Sequence, residues 1–241
     1  MFRESLPLLS SLFLVTSLHG ASILNPSFEN GVPDEDAMFF SNVAPTGWTV
    51  WSRTENVTNL SISAPGWIHA GRTSMPGASQ GNYFVALDSY STMNGEDMAV
   101  VDAGIRSTVS GLTVGESYTI AFESASFLVD GSYQNNGFLD VYTGAVGNTL
   151  VLRESLTIDH LVTYSNYQLE TAEIGTYTFT FTANATQMDI GFRSRLVDAT
   201  GDNFNQYYSV SLDNLRVIPE PSSMALAGAA VIGAVFRRRR I

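Results

Sequence analysis

One serine of this chain lies in a pattern that hydrolases use for nucleophilic attack. Gly77 to Gly81 reads G-A-S-Q-G, which fits G-x-S-x-G with Ser79 as the nucleophile. That elbow needs a strand before the serine and a helix after it, because the sharp turn between them exposes the hydroxyl. Here a proline-containing loop precedes Ser79, the predicted strand Tyr83 to Leu87 follows it, and a triad would have to recruit His160. We therefore interpret the pattern as a turn.

The other side chains able to do chemistry are histidines and carboxylates. His69 and His160 fit neither the H-x-H nor the H-E-x-x-H spacing, and the chain has no Cys, so the sequence predicts no zinc site. Residues 22–217 contain 21 Asp and Glu. A glycosidase pair of carboxylates is defined by its distance in space, and the sequence singles out no two of them. A glycan hydrolase or lyase is therefore the third of three functional hypotheses.

Charge limits the partners of this chain. Residues 22–217 hold 7 Arg against 21 Asp and Glu, a formal net charge of −14. Such an acidic body repels phosphate backbones, so no nucleic acid partner is expected, whereas calcium and neutral polysaccharide are compatible with it. Since there is no Cys, a secreted body must be held by packing, hydrogen bonds or metal.

Alternating residues predict strands through most of the chain. In Thr176 to Thr182 the aromatic residues Tyr177, Phe179 and Phe181 face one side and the threonines face the other. Short strands of this kind, separated by Gly, Asn, Asp and Ser turns, predict an all-β fold. We expect a two-sheet antiparallel jelly-roll sandwich over residues 23–217.

The last predicted strand changes phase. Its apolar residues Val210 and Leu212 share one face, but Leu215 and Val217 have the opposite phase. An extra residue in a strand produces such a shift and re-aims a side chain, so the pattern indicates a β-bulge at Asp213. The alternative is a strand that ends near Asp213.

Both ends of the chain differ from this body. Residues 1–22 combine a charged start, an apolar run and the small residues Gly20, Ala21 and Ser22, which predicts a signal peptide removed by signal peptidase. Beyond residue 217 a hydrophobic helix is expected over Met224 to Phe236, and it would span about 20 Å against a hydrocarbon core of about 30 Å. It is therefore too short for a good permanent anchor.

Several short stretches resemble galactose-binding-like jelly rolls, β-sandwiches common among carbohydrate-binding modules. They are N-P-S-F-E-N-G from Asn25, G-N-Y-F-V-A-L-D from Gly81 and S-L-D-N-L from Ser211. The resemblance implies a structural calcium held by Glu29 and Asp213, with oxygens contributed by Asn25 and Ser27. The alternative is that these side chains bind loop amides without metal. Calcium is the one cofactor expected.

Sugar binding needs an aromatic face for the pyranose ring and polar groups for its hydroxyls. Four aromatic residues lie in polar, loop-like surroundings and are the candidates for this role: Trp51, Trp67, Tyr90 and Tyr133. Packing in the core or in a loop is the alternative for each. Trp48 follows a turn glycine and is predicted to lie in the core.

The C-terminal segment, residues 218–241, has three parts in a fixed order. A Pro-Glu-Pro motif comes first, the apolar run follows, and four arginines stand before the final Ile241; the residues concerned are Pro219, Glu220, Pro221, Arg237, Arg238, Arg239 and Arg240. This order resembles the PEP-CTERM sorting signal, which implies an exosortase partner in a Gram-negative bacterium that builds an exopolysaccharide matrix. An ordinary tail anchor is the alternative, but it gives no reason for Pro-Glu-Pro. The arginines should stay cytoplasmic during export.

Two hypotheses precede the enzymatic one. The first is a non-enzymatic exported protein of the cell surface or extracellular matrix, sorted by the exosortase, held transiently in the inner membrane and associated with exopolysaccharide. The second is a carbohydrate-binding module with a defined glycan ligand.

Overall fold

The computed structural model describes residues 20–30, 44–55, 66–69, 83–94, 97–128, 137–165, 168–195 and 207–220. All the regular secondary structure in these ranges is β-strand, so the predicted all-β fold is confirmed. The strands are β1 Ser22–Ile23, β2 Trp48–Glu55, β3 Gly66–His69, β4 Tyr83–Asn94, β5 Asp97–Ser110, β6 Ser117–Ser124, β7 Ser126–Leu128, β8 Gly137–Ala145, β9 Val151–Ile158, β10 Leu161–Ser165, β11 Gln168–Ala172, β12 Gly175–Thr182, β13 Gln187–Ser194 and β14 Tyr207–Pro219. Residues 1–19 of the predicted signal peptide and the predicted tail helix, Met224 to Phe236, lie outside the described residues.

The strands form two layers, as predicted. The front sheet has the order β2-β5-β13-β8-β9, with β1 beside β2 on the same edge of β5. In the back sheet β3, β4, β14, β6 and β12 are neighbours, and β7, β10 and β11 extend it. The long β4–β5 hairpin connects the two sheets, because the end of β4 pairs with the start of β5. Every described pair is antiparallel except β7 with β10.

The core lies between the layers and follows the predicted alternation. Along β12, Phe179 and Phe181 are buried, Tyr177 is half-buried and the threonines between them are exposed. Phe122 of the back sheet meets Phe192 of the front sheet with ring centroids 5.2 Å apart. Inward-facing residues of both sheets therefore form one apolar cluster, and burial of such surface stabilises the fold by roughly 25 cal/mol per Å².

Trp48 occupies this core, as the sequence predicted, and it also fixes the opening loop. Its side chain is buried, with ring centroids 5.0 Å from Phe28 and 6.5 Å from Phe192. The indole Nε1–H donates to the carbonyl oxygen of Asn25 (3.1 Å). Asn25 and Phe28 have positive φ angles of 51° and 57°, and such left-handed backbone persists where surrounding contacts hold it. The indole is one of those contacts.

The predicted β-bulge in the last strand is confirmed. The register of β14 with β6 shifts between Asp213 and Arg216, and Asn214 has a φ of 48°. The bulge lies where β14 leaves β4, with which it pairs up to Leu212, and begins to pair with β6. It also brings the last strand to the opening loop, since the amide of Leu215 donates to the carbonyl of Pro26 (3.0 Å).

Candidate functional site

The outward face of the front sheet carries a row of side chains from five strands. Strand pairing places Trp51 of β2 opposite Gly104 of β5, then Arg193 of β13, Asp140 of β8 and Ser155 of β9. Paired residues in a sheet project to the same face, so these five positions lie side by side. We call this surface the outer front face.

The next row supplies further parts of the outer front face. It places Thr49, Arg106, Gly191, Tyr142 and Leu152 side by side. Gly191 forms the floor, because a Cβ built there would lie 2.6 Å from Leu150 Cδ1 and 3.2 Å from Trp51 Cζ3. A side chain at this position would therefore displace the indole or the leucine.

Trp51 lies against an aromatic and a cationic neighbour. Its ring and that of Tyr142 meet edge to face, with centroids 4.6 Å apart at 85°. The guanidinium carbon of Arg193 lies 5.4 Å from the Trp51 centroid and 4.9 Å from that of Tyr142, within the range of cation–π attraction. Trp51 is half-buried, whereas Tyr142 and Arg193 are buried. The cluster holds the indole in place and leaves part of it in contact with solvent.

Asp140 makes ion pairs and hydrogen bonds with side chains of both rows. Its carboxylate lies 3.4 Å from Arg193 Nη2 and 3.2 Å from Arg195 Nε, and it accepts hydrogen bonds from Ser155 (2.6 Å) and Tyr142 (3.3 Å). Asp140 and Arg193 are almost fully buried, and Arg195 is half-exposed. A buried ion pair needs such additional partners because both charges have lost their hydration.

This arrangement has the parts that sugar recognition requires. A fixed, half-exposed indole offers an apolar surface, and Leu152 beside it is 48% exposed. The strand registers place Arg106 and Ser155 next to that surface, and Arg195 is held beside it by its contact with Asp140. An apolar platform bordered by oriented polar groups can hold a ring whose two faces differ in polarity.

The structure assembles the predicted sugar-binding aromatics only in part. Trp51 belongs to the outer front face. Trp67 lies in β3 and pairs with Val85, so its backbone belongs to the back sheet, and Tyr90 lies in β4 where it pairs with Val101 and Tyr207. Both are in strands and not in the loop-like setting that the sequence suggested. Tyr133 lies outside the described residues, as does the G-x-S-x-G segment.

The residues around Trp51 were not singled out from the sequence. Asp140, Tyr142 and Arg193 are 53 or fewer residues apart from each other but about 90 or more from Trp51, and strand order alone brings them together. One signal was present: in Met188 to Ser194 the outward phase carries Asp, Gly and Arg against an apolar inward phase. A glycine inside a strand is often a position that a ligand or another part of the chain approaches closely.

The four predicted calcium ligands lie in the opening loop and the bulge. Asp213 is buried, and its Oδ1 accepts the amide of Asn214 (2.7 Å). Glu29 and Ser27 are half-buried in the loop. Both oxygens of Asn25 accept hydrogen bonds: Oδ1 from the amide of Asn30 and the carbonyl from Phe28 and Trp48. Among the described residues no three His, Asp or Glu side chains form a group suited to a metal ion.

His160 lies in a small polar cluster between β9 and β10. The hydroxyl of Tyr177 donates to Asp159 Oδ1 (2.7 Å) and lies 2.9 Å from His160 Nδ1. The hydrogen bond from Tyr177 holds the pKa of Asp159 below its ordinary value of 3.8, while burial raises the pKa of Tyr177 to about 12. We interpret the cluster as a clamp on the β9–β10 turn.

We predict that Tyr177→Phe raises the pKa of Asp159 towards 3.8, because the phenol no longer stabilises the carboxylate. In the native protein the stabilising effect of this carboxylate is complete above pH 3.8 and is lost as the pH falls through its lower folded-state pKa. A carboxyl-carbon NMR titration of the two proteins measures the shift. An Asp159 pKa that is equal in both would contradict the assignment.

Comparisons with known proteins bear on the two parts of the chain separately. Residues 217–240 match the PEP-CTERM protein-sorting motif. No curated protein is similar in sequence to the chain. Among solved structures, the chain is similar to TmCBM61, solved with β-1,4-galactotriose (14% identity, TM-score 0.46, covering 83% of this chain and 99% of that one). It is also similar to a CBM4 structure (14% identity, TM-score 0.38, 83% and 100% covered) and to the K2 cleaved adhesin domain of Lys-gingipain (13% identity, TM-score 0.44, 81% and 97% covered).

The sorting motif starts inside the folded body. β14 continues to Pro219, two residues past the predicted end of the sandwich, so the first part of the motif is paired with β6. Within the described residues there is no helix long and apolar enough to cross a membrane, and Pro221 to Ile241 lie outside them. The match confirms the sorting signal predicted from Pro-Glu-Pro, the apolar run and the arginines. The chain is thus an exported protein with a C-terminal PEP-CTERM sorting motif, which implies processing by an exosortase.

Proposed function

We propose that this chain is a non-enzymatic protein of the cell surface or extracellular matrix whose sandwich binds glycan through the outer front face. The half-exposed indole of Trp51, fixed by Tyr142 and Arg193, is the observation that supports this role most directly. In this proposal the ligand is exopolysaccharide around a Gram-negative cell. Signal peptidase removes the N-terminal signal peptide, and the tail holds the precursor in the inner membrane until the exosortase acts.

A glycan array with the exported protein tests the proposal. Because an aromatic residue at the centre of an interface typically contributes about 2 kcal/mol or more, Trp51→Ala should weaken binding by about thirtyfold. Circular dichroism should show an unchanged fold. Trp67→Ala is the comparison variant, since its backbone lies in the other sheet, and we expect it to bind normally.

Three outcomes of the array would change the proposal. Selective glycan binding that is lost in Trp67→Ala and kept in Trp51→Ala would place the site on the back sheet. No binding to any glycan would leave a structural matrix role. Depolymerisation of a polysaccharide, lost when one or two carboxylates are replaced, would show an enzyme.

We also propose the structural calcium, held by Glu29 and Asp213 with an oxygen of Ser27. Its support is the buried Asp213 carboxylate at the bulge that joins the last strand to the opening loop. Carboxylate and hydroxyl oxygens suit a hard cation. Asn25 is the fourth proposed ligand, and its two oxygens also accept hydrogen bonds within the loop.

Removing calcium should lower the melting temperature of the exported protein. An ion that binds only the folded state at about a hundred times its dissociation constant adds about 2.7 kcal/mol of stability. Thermal scans with calcium, with magnesium and with chelator measure this, and Asp213→Asn should abolish the calcium effect. Asp189→Asn, at another buried aspartate, should keep it. Identical melting with calcium and with chelator would contradict the proposal.

A further inference from the structure

Two arginines of the outer front face reach solvent although the chain as a whole has a formal net charge of −11. The aspartates of strands β8 and β13 are buried, and each already has partners. Asp140 faces two arginines, and Asp189 accepts hydrogen bonds from Thr108 (2.6 Å) and from the amide of Gly147 (2.9 Å). Arg106 and Arg195 are both partly exposed on this side of the sheet. Arg106 and Arg195 therefore meet solvent here, while Asp140 and Asp189 do not. Glu154 of β9 is exposed at the edge of this sheet.

These cations have unused capacity for an anion. One carboxylate, Asp140, faces both Arg193 and Arg195, which leaves this trio with one excess positive charge. Arg193 Nε is buried and has no hydrogen-bond partner among the described residues. Arg106, in the row beside Trp51, belongs to none of the ion pairs between described residues. A buried donor without a partner costs free energy, which a bound acceptor would recover.

We propose that the outer front face selects anionic glycans, in which uronate carboxylates reach Arg106 and the Arg193–Arg195 pair while a sugar ring contacts Trp51. Planar guanidinium groups suit carboxylates because they can donate two parallel hydrogen bonds. This inference rests on the proposed glycan binding and adds the chemical class of the ligand.

Polygalacturonate and its methyl ester form a matched pair of probes, since they share a backbone and differ in charge. We expect the exported protein to bind polygalacturonate at least tenfold more tightly than the ester, with an affinity that falls as salt is added. Arg106→Gln should weaken binding of polygalacturonate about tenfold, as expected for the loss of a charge-assisted contact. Arg216→Gln makes the same change of net charge on the back sheet and should bind normally.

The outcomes separate this inference from the proposed function. Equal, salt-insensitive binding of polygalacturonate and ester would overturn the charge selectivity and leave glycan binding standing. Binding to neither polymer would also overturn it, and the array with Trp51→Ala then decides whether any glycan binds. An equal loss in Arg106→Gln and Arg216→Gln would show a general charge effect and would overturn the assignment to this face.

A second inference concerns the sorting motif and comes from different contacts. Ile218 and Pro219 pair with Thr119 and Tyr118 of β6, and the amide of Glu220 donates to the carbonyl of Ser117 (3.0 Å). The Glu220 carboxylate accepts a hydrogen bond from Thr119 Oγ1 (2.5 Å). The folded sandwich therefore holds the first two residues of Pro-Glu-Pro by backbone and side chain.

The Thr119 hydroxyl has a second neighbour that strengthens this contact. Thr180 Oγ1 of β12 lies 2.8 Å from it, so hydroxyl groups connect β12, β6 and Glu220 in one chain. Hydrogen bonds in such a chain polarise one another. The side chain of Glu220 is nevertheless exposed, so the contact can open without disturbing the core.

We infer that Thr119 acts as a latch on the sorting motif, so that the end of β14 must separate from β6 before the exosortase can bind Pro-Glu-Pro. Only three residues, Pro221 to Ser223, separate Glu220 from the apolar run that starts at Met224. Extended, four peptide steps reach about 14 Å, so a motif held on β6 cannot move freely to a membrane enzyme. This inference rests on the implied processing by an exosortase.

Rates of precursor processing in cells with the exosortase test the latch. Thr119→Val removes the donor with little change of shape, and we expect processing to accelerate about fivefold, the effect of one exposed hydrogen bond. Thr119→Ser keeps the donor and should behave as the native chain. Thr178→Val, the same change at an exposed threonine of the neighbouring strand β12, is the matched control. Hydrogen exchange of the Glu220 amide in the purified precursor should accelerate only in Thr119→Val.

The control variant with Pro219, Glu220 and Pro221 all replaced by alanine distinguishes exosortase recognition from the latch. Unchanged processing of that variant would refute exosortase recognition and the latch together. If it blocks processing but Thr119→Val is processed at the native rate, or more slowly, the motif is recognised and the latch is refuted.

Discussion

Replacing Trp48 by alanine should lower the free energy of unfolding by about 3–5 kcal/mol, the range for truncating a large aromatic residue in a packed core. Trp48 contacts Phe28 and Phe192, and its indole N–H binds the carbonyl of Asn25. Its removal would leave a cavity between the front sheet and the opening loop. It would also release the loop that holds two residues at positive φ.

Urea denaturation of the exported protein, followed by circular dichroism, measures the loss. Trp48→Phe is the control: it keeps an aromatic ring in the core and removes the indole donor, so we expect a smaller loss, of about 1–2 kcal/mol. A loss below 1 kcal/mol in Trp48→Ala would show that this indole does not determine the packing of the opening loop.

Asp140→Asn should destabilise the protein by about 3–5 kcal/mol although the two side chains have nearly the same shape. Arg193 is buried, and the substitution would remove the negative charge that faces it. Breaking a buried ion pair on one side leaves an uncompensated charge, which costs far more than the pair itself contributes. The lost contact with Arg195 should contribute less to this destabilisation, because Arg195 is half-exposed and water can hydrate its guanidinium group.

The double variant Asp140→Asn, Arg193→Met separates charge from shape. Replacing both charged partners of a buried pair is often close to neutral, so the double variant should recover most of the stability lost in Asp140→Asn. Asp189→Asn provides the comparison. Because the partners of Asp189 are a hydroxyl and an amide, we expect this change to lower the free energy of unfolding by only about 1–2 kcal/mol. If the double variant is no more stable than Asp140→Asn, the ion pair is not the cause of the loss.

Local alternation and turn residues were enough to predict the sandwich. The pattern of β12 is a direct consequence of one buried and one exposed face, and the phase change at Asp213 correctly located the bulge. Trp48 could be assigned to the core because it follows a turn glycine and opens a strand. These features depend on residues close together in the chain, which is why the sequence alone reveals them.

The candidate site depends on which strands are neighbours, and periodicity does not contain that information. Trp51, Arg193 and Asp140 lie in one row only because β2, β5, β13 and β8 are neighbours in that order. The structure extends β14 to Pro219, two residues beyond the predicted boundary at residue 217. Pro219 lacks an amide donor, so it argues against a strand, yet at the last position of β14 it pairs with Tyr118 and the following amide of Glu220 donates instead.

The position of β14 within the back sheet has a consequence for the order of assembly. This last described strand is hydrogen-bonded to β4 on one edge and to β6 and β7 on the other. A chain that crosses a membrane from its N-terminus delivers β14 after every other described strand. Until then the back sheet has a vacant central place, and long-range pairings of this kind form slowly. The back sheet can therefore close only when the strand that leads directly into the sorting motif is available to pair.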